Sequence, residues 1–133
     1  MACPPDVKIG VAVMTEPADR TKFSHPTPEL PVADVERAQQ YYRDTLGFTI
    51  GWLFPGADIG AVSRDDVAIF FRRRSPPFEP AVHWVYAPMI EAMYEELRAS
   101  GARIIDPLET KPWGLQQFTV ADLDGNIFYF HCD

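Results

Sequence analysis

Apolar and polar residues alternate along this chain with two periods, and the same succession of periods occurs twice. "PELPV" at 28–32 reads as a short strand, and Asp34 can cap a helix by accepting a hydrogen bond from a first-turn amide. Val35, Ala38, Tyr41 or Tyr42, and Leu46 then recur at helical spacing, and Gly47 can take the left-handed conformation that ends the helix. "FTIGWLF", "DIGAVS" and "VAIFFRR" alternate as strands do, the last two joined by a tight "RDD" turn. The second pass opens with strand-like "AVHWVYA", followed by Pro88 at a helix start. Ile90, Met93, Tyr94 and Leu97 form its apolar stripe before Gly101, and "ARIID", "LQQFTVAD" and "NIFYFHC" supply three more strands.

The repeated unit is therefore strand, helix and three strands. Two βαβββ modules, about 25–76 and 80–133, predict an α+β domain over 25–133: a curled mixed sheet with its helices on the outer face. Function is expected on the face that the helices leave free. Proline-rich stretches set residues 1–24 apart as a leader, read as an extra strand, an arm over a partner or a loose segment.

Composition narrows the classes of function. Apolar residues are 47% and aromatics 13% of the 133 residues, enough for one real core. Twelve Lys and Arg against nineteen Asp and Glu leave a net charge of −7, which disfavours nucleic acid as a partner and suits either a solvated acidic surface or a cationic ligand. The apolar runs fall far short of the ~20 residues that span a bilayer. "VKIGVAVM" reads as a strand more than as an export signal, so export is not expected, and the short apolar runs make a membrane partner unexpected too. Cys3 and Cys132, each near an end, offer neither a disulfide framework nor a zinc cluster, and a cytoplasmic setting is expected. No Gly-x-Ser-x-Gly elbow, phosphate loop or dinucleotide fingerprint occurs. "RRR" at 72–74 reads as a solvated sheet edge, and "DLDGN" at 122–126 as a hairpin turn without the closing Glu of a calcium loop.

Three segments, "LPVADVERAQQYYRDTLGF" at 30–48, "MYEELRASGARI" at 93–104 and "PWGLQQFTVADLDGNIFYF" at 112–130, together resemble the vicinal oxygen chelate superfamily of glyoxalases, extradiol dioxygenases and bleomycin-resistance proteins. The resemblance implies the glyoxalase/bleomycin resistance fold. In metal-dependent members it implies a His or Glu on the first strand of each module and a Glu on the last strand. Here those positions fall on Thr27, on Pro80 or Ala81, and on Tyr129, none of which can replace a carboxylate–imidazole set. A metal and any other cofactor are therefore not expected. A shifted alignment that gathers His25, His83, Glu29 and His131 is the alternative, and with it a metal-dependent glyoxalase- or dioxygenase-type enzyme. A third reading makes Tyr129 or Glu29 the acid or base of a metal-free enzyme.

Nearest in look are the bleomycin-resistance proteins, which implies a homodimer that sequesters a small molecule, with no catalytic residue. Alternation nominates the free-face residues independently. Ile127, Tyr129 and His131 share one face of the last strand while Phe128 and Phe130 face the core. Gln117, Thr119 and Trp84 join that face, Trp52 and Phe54 share a face of theirs, and Trp113 precedes its strand through Gly114. With Thr27 and Glu29 these are the candidate ligand contacts, rings to stack on an aromatic ligand while Glu29, Asp58 and the net charge attract a cation.

Overall fold

The computed structural model describes residues 21–56 and 58–133. Most of the leader, including "VKIGVAVM" and Cys3, lies outside these residues. The first module runs β1 (Glu29–Val32), α1 (Val35–Leu46), β2 (Thr49–Leu53), β3 (Ile59–Arg64) and β4 (Val67–Arg73). The second repeats it as β5 (Val82–Tyr86), α2 (Ile90–Ala99), β6 (Arg103–Thr110), β7 (Gln116–Ala121) and β8 (Ile127–Cys132). Each module forms its own four-stranded mixed sheet, ordered β1-β4-β3-β2 and β5-β8-β7-β6. In both, the first strand runs parallel to the last and the other neighbours are antiparallel.

Local chemistry sets the helix ends. The Asp34 side chain accepts from the Arg37 amide at 3.0 Å, and Gly47, at φ 75°, returns its N–H to the Tyr42 carbonyl. Of the two tyrosines that suit the α1 stripe, Tyr42 is buried with Val35, Ala38, Gln39 and Leu46. Gly60 lets α1 lie close on its sheet, because a Cβ there would stand 2.8 Å from Val35 and from the Gln39 amide. Gln39 uses that proximity to donate to the Trp52 and Ala61 carbonyls at 2.9 and 3.1 Å. The helix thereby fixes the backbone at Trp52, where the β2–β3 register shifts.

The helix-side faces of the two sheets meet at Tyr42. Its ring packs edge-on against Phe71 of β4 and Phe128 of β8, at 4.8 and 6.0 Å between centroids. Its hydroxyl donates to Asp122 at 2.6 Å, and Asp122 is only 2% exposed. The same carboxylate accepts from the backbone amides of Asp124 and Asn126 and from the Asn126 side chain. Asn126 donates on to the Pro31 carbonyl and accepts from the Ala81 amide, while Asp124 accepts from the Ala33 amide. "DLDGN" is a turn, as its sequence suggests, and it is also the polar clasp between the modules. Burial, then the charge of Asp122, holds the Tyr42 hydroxyl well above the usual tyrosine range, so it stays a donor.

Three readings change. β4 is an interior strand, so Arg72 and Arg73 do not blunt a sheet edge; they pair with Glu29 and Asp58 at 2.9 and 2.6 Å. β6 extends further than "ARIID", as an edge strand whose irregular register tolerates Pro107. Cys132 is buried and disulfide-bonded, a state that a reducing compartment disfavours and that departs from the cysteine reading above. No described helix is long and apolar enough to cross a membrane.

Two outcomes follow from the core. Tyr42→Phe strands a buried carboxylate with one partner fewer, and urea denaturation should show a loss of about 1–3 kcal/mol; a change within error would mean the clasp is not under load. His83, stacked on Phe128 at 5.5 Å, has its pKa lowered, first by burial. A histidine that folding holds neutral costs stability as pH falls below about 6.5, the range where the unfolded chain takes up the proton, and the loss levels off below the folded pKa. Denaturation midpoints measured across that range should fall less steeply in His83→Gln than in the parent chain.

Candidate functional site

Strand pairing settles which side chains share a face. Trp84 lies opposite Tyr129 and Tyr86 opposite His131 across β5–β8, while Thr119 and Gln117 lie opposite the same two residues across β7–β8. The intervening residues, His83, Val85, Phe118, Phe128 and Phe130, take the helix side. The open face of the second sheet thus carries a continuous ring platform. Trp84 stands 4.7 Å from Tyr129 and 5.6 Å from His131, and Tyr86 stands 5.7 Å from His131. Trp113 belongs to it as well, since its indole N–H donates to the Gln117 side chain at 3.2 Å. Gln117 and Thr119 are buried in the floor, whereas Trp84 and Trp113 are 55% and 62% exposed.

The electrostatics of this platform are acidic. Asp106 and Glu109 pair in register with Thr119 and Gln117, and both reach the Lys111 ammonium at 2.6 Å. Two carboxylates against one ammonium leave one negative charge in excess beside the rings. Side-chain hydrogen bonds to Asp106 and then Glu109 raise the Lys111 pKa, which keeps the ammonium charged and the trio fixed.

The first sheet has a smaller counterpart. Trp52 packs edge-on against Phe70 at 5.1 Å, and Glu29, paired in register with Phe70, holds Arg72 at 2.9 Å and Arg74 at 3.8 Å. Glu29 and Asp58 are therefore already matched by arginines, which removes them as the free anions foreseen for a cation. Phe54 is exposed just past β2, and Thr27 is exposed before β1. Among the described residues no ring contact or hydrogen bond joins the two open faces, since the sheets meet through their helix sides. The ten nominated residues thus fall into one cluster of six on the second sheet, the Glu29 and Trp52 group on the first, and the two outlying positions.

Tyr86, Phe70, Arg72, Asp106, Glu109 and Lys111 were not nominated. Alternation from Trp84 reaches Tyr86 directly. Phe70 and Arg72 become visible only through the parallel pairing of β1 with β4, and the β6 trio depends on two register shifts that no period announces.

The donor set does not fit a catalytic metal. On β1, β4, β5 and β8 the open face offers one carboxylate, Glu29, tied to two arginines, and one imidazole, His131. Thr27, Pro80 or Ala81, and Tyr129, the positions at which the resemblance implies ligands, carry no carboxylate or imidazole. The shifted set does not assemble either, because His83 faces the helix side and His131 the open side. Among the described residues no group of three His, Cys, Asp or Glu side chains is placed to hold an ion.

Comparison with known proteins agrees with this architecture. Residues 22–130 match the family model of the Glyoxalase/Bleomycin resistance protein/Dioxygenase superfamily, and the chain belongs to that superfamily. TioX from Micromonospora sp. ML1 is 26% identical with a TM-score of 0.67, over 83% of this chain and 96% of that one. The bleomycin-binding protein from bleomycin-producing Streptomyces verticillus, complexed with copper(II)-bleomycin, is 23% identical with a TM-score of 0.73, over 86% and 99%. The bleomycin resistance determinant encoded on the transposon Tn5 is 21% identical with a TM-score of 0.72, over 84% and 98%. No curated protein matches the chain. At these last two identities the likeness is one of fold.

Elemental analysis of protein purified without chelator should find Ni, Zn, Mn and Fe far below one ion per chain. A stoichiometric ion that survives dialysis would contradict the donor-set argument.

Proposed function

We propose that this chain is an antibiotic-type binding protein that sequesters an aromatic, cationic small molecule and makes or breaks no bond in it. The observation that carries the reading is the exposed platform of Trp84, Tyr86, Trp113, Tyr129 and His131 with its excess carboxylate. Flat heteroaromatic groups gain about 0.5–1.5 kcal/mol per stacked ring beyond their area burial. A cation over such a ring gains about 0.5–2 kcal/mol, more as water is excluded. The bleomycin-binding neighbours support an antibiotic as the ligand class, and the net charge of −7 supports a cation over an anion.

The working unit of this proposal is a homodimer. Among the described residues each open sheet face leaves large rings exposed, and they supply no second wall to close over the platform. A two-fold axis brings the Trp52–Phe70 face of one copy over the Trp84–Tyr129 face of the other, and the reverse, so both sites close together. The ligand would then lie between the two walls, with Gln117 and Thr119 as polar anchors in the floor.

Calorimetric titration with metal-free bleomycin should show saturable binding, with the ligand recovered chemically unchanged. Trp84→Ala and Trp113→Ala should each weaken it about tenfold or more, the loss of a well-packed aromatic anchor. Unchanged affinity in both variants would remove the platform from the site, and a modified ligand would point to an enzyme instead.

A further inference from the structure

We infer that the chain has a second small-molecule site, on the helix side of the sheets, which takes a compact apolar amine in a cavity between the two modules. The cavity holds about 460 Å³, the size range of small-ligand pockets. Its floor is the helix side of both sheets, with Val67 from β4, Val85 from β5, Phe128 and Phe130 from β8, and Met93 from α2. Protein interiors rarely leave room larger than a water molecule, and these walls forgo dispersion contacts that an apolar guest would restore. Met89, 67% exposed at the lip, and Met93 supply unbranched, polarisable side chains that adapt to the guest's shape.

The mouth decides the charge of that guest. Arg64, Asp65 and Asp66, at the β3–β4 turn, stand on its rim. Arg64 is already committed, donating to both Glu96 oxygens at 2.7 and 3.1 Å and to the Leu46 carbonyl at 2.8 Å. Asp65 keeps only a 3.7 Å approach to Arg64, and Asp66 has no partner among the described residues. The rim therefore presents negative charge without a matching cation, beside an apolar hole. An ammonium on a short apolar body satisfies both. Trp52, Trp84, Trp113, Tyr129 and His131 do not line the cavity, and Tyr86 is the one platform ring that also borders it, so Trp84 and Trp113 can be altered without touching its wall.

Three isosteric probes test this: 4-phenylbutylammonium, 4-phenylbutanol and 4-phenylbutyrate. Their binding is followed on the full chain through carbon-13 methionine methyl resonances. The Met89 and Met93 methyls should shift with the ammonium, and the ammonium should bind about tenfold more tightly than the carboxylate, since attraction at the rim replaces repulsion. Asp65→Asn combined with Asp66→Asn, a surface change that keeps a residue tolerant of the φ of 51° at position 65, should bring the three probes within about twofold of each other. Trp84→Ala should leave ammonium binding intact, whereas Val85→Phe, which fills the floor, should remove it. The inference is overturned if no probe moves the two methyls, if the carboxylate binds as well as the ammonium, or if Trp84→Ala abolishes the ammonium signal.

Discussion

The buried carboxylate of Asp122 is the interaction on which the rest of this structure depends. It lies in a turn of the second module, and its partners reach across to the first: the Tyr42 hydroxyl directly, and through Asn126 the Pro31 carbonyl. A charge so far from water is tolerated only when its acceptor sites are filled, and four donors fill them. That requirement locks the helix sides of the two sheets against one another around Tyr42. Its consequence is topological. With the helix sides spent on the junction, both ring-bearing faces are left uncovered by the described residues.

Much of this organisation is legible in the residues. The doubled βαβββ order, the caps at Asp34, Gly47 and Gly101, and the parity of β7 and β8 all follow from local period and turn chemistry, which act over a few residues. The parity argument places Trp84, Gln117, Thr119, Tyr129 and His131 on one face, where strand pairing also puts them. What sequence conceals is whatever arises between distant segments. Arg72 looks like an edge residue until β1 pairs with β4, and Glu29 looks like a free anion until that pairing sets it beside Arg72. "DLDGN" reads as an ordinary hairpin because its partners lie at 31, 33, 42 and 81. The inter-module cavity has no linear signature at all, since its walls come from six separate elements.

The absence of a carboxylate at Tyr129 takes on a physical meaning in this frame. The position lies in the middle of the ring platform, against Trp84, and a charge there would be set among aromatic faces. A tyrosine instead extends the flat surface and keeps a hydroxyl for a polar contact. The position offers no carboxylate donor, and the flat surface runs on through it from Trp84.

The central claim is that each binding site is completed by two copies of the chain. Mixing two weakened variants, at a bleomycin concentration that fills only undamaged sites, tests it most directly: Trp52→Ala, damaged only on the first-sheet face, and Trp84→Ala, damaged only on the second. After subunit exchange at equal amounts, half of the dimers are mixed, and each mixed dimer has one site with both faces intact and one with both damaged. Metal-free bleomycin binding should then recover to about a quarter of the parent capacity, the fraction that random pairing of isologous dimers sets. Recovery at that level supports a shared site. No recovery, with exchange verified independently, would place each site within one chain and contradict the account.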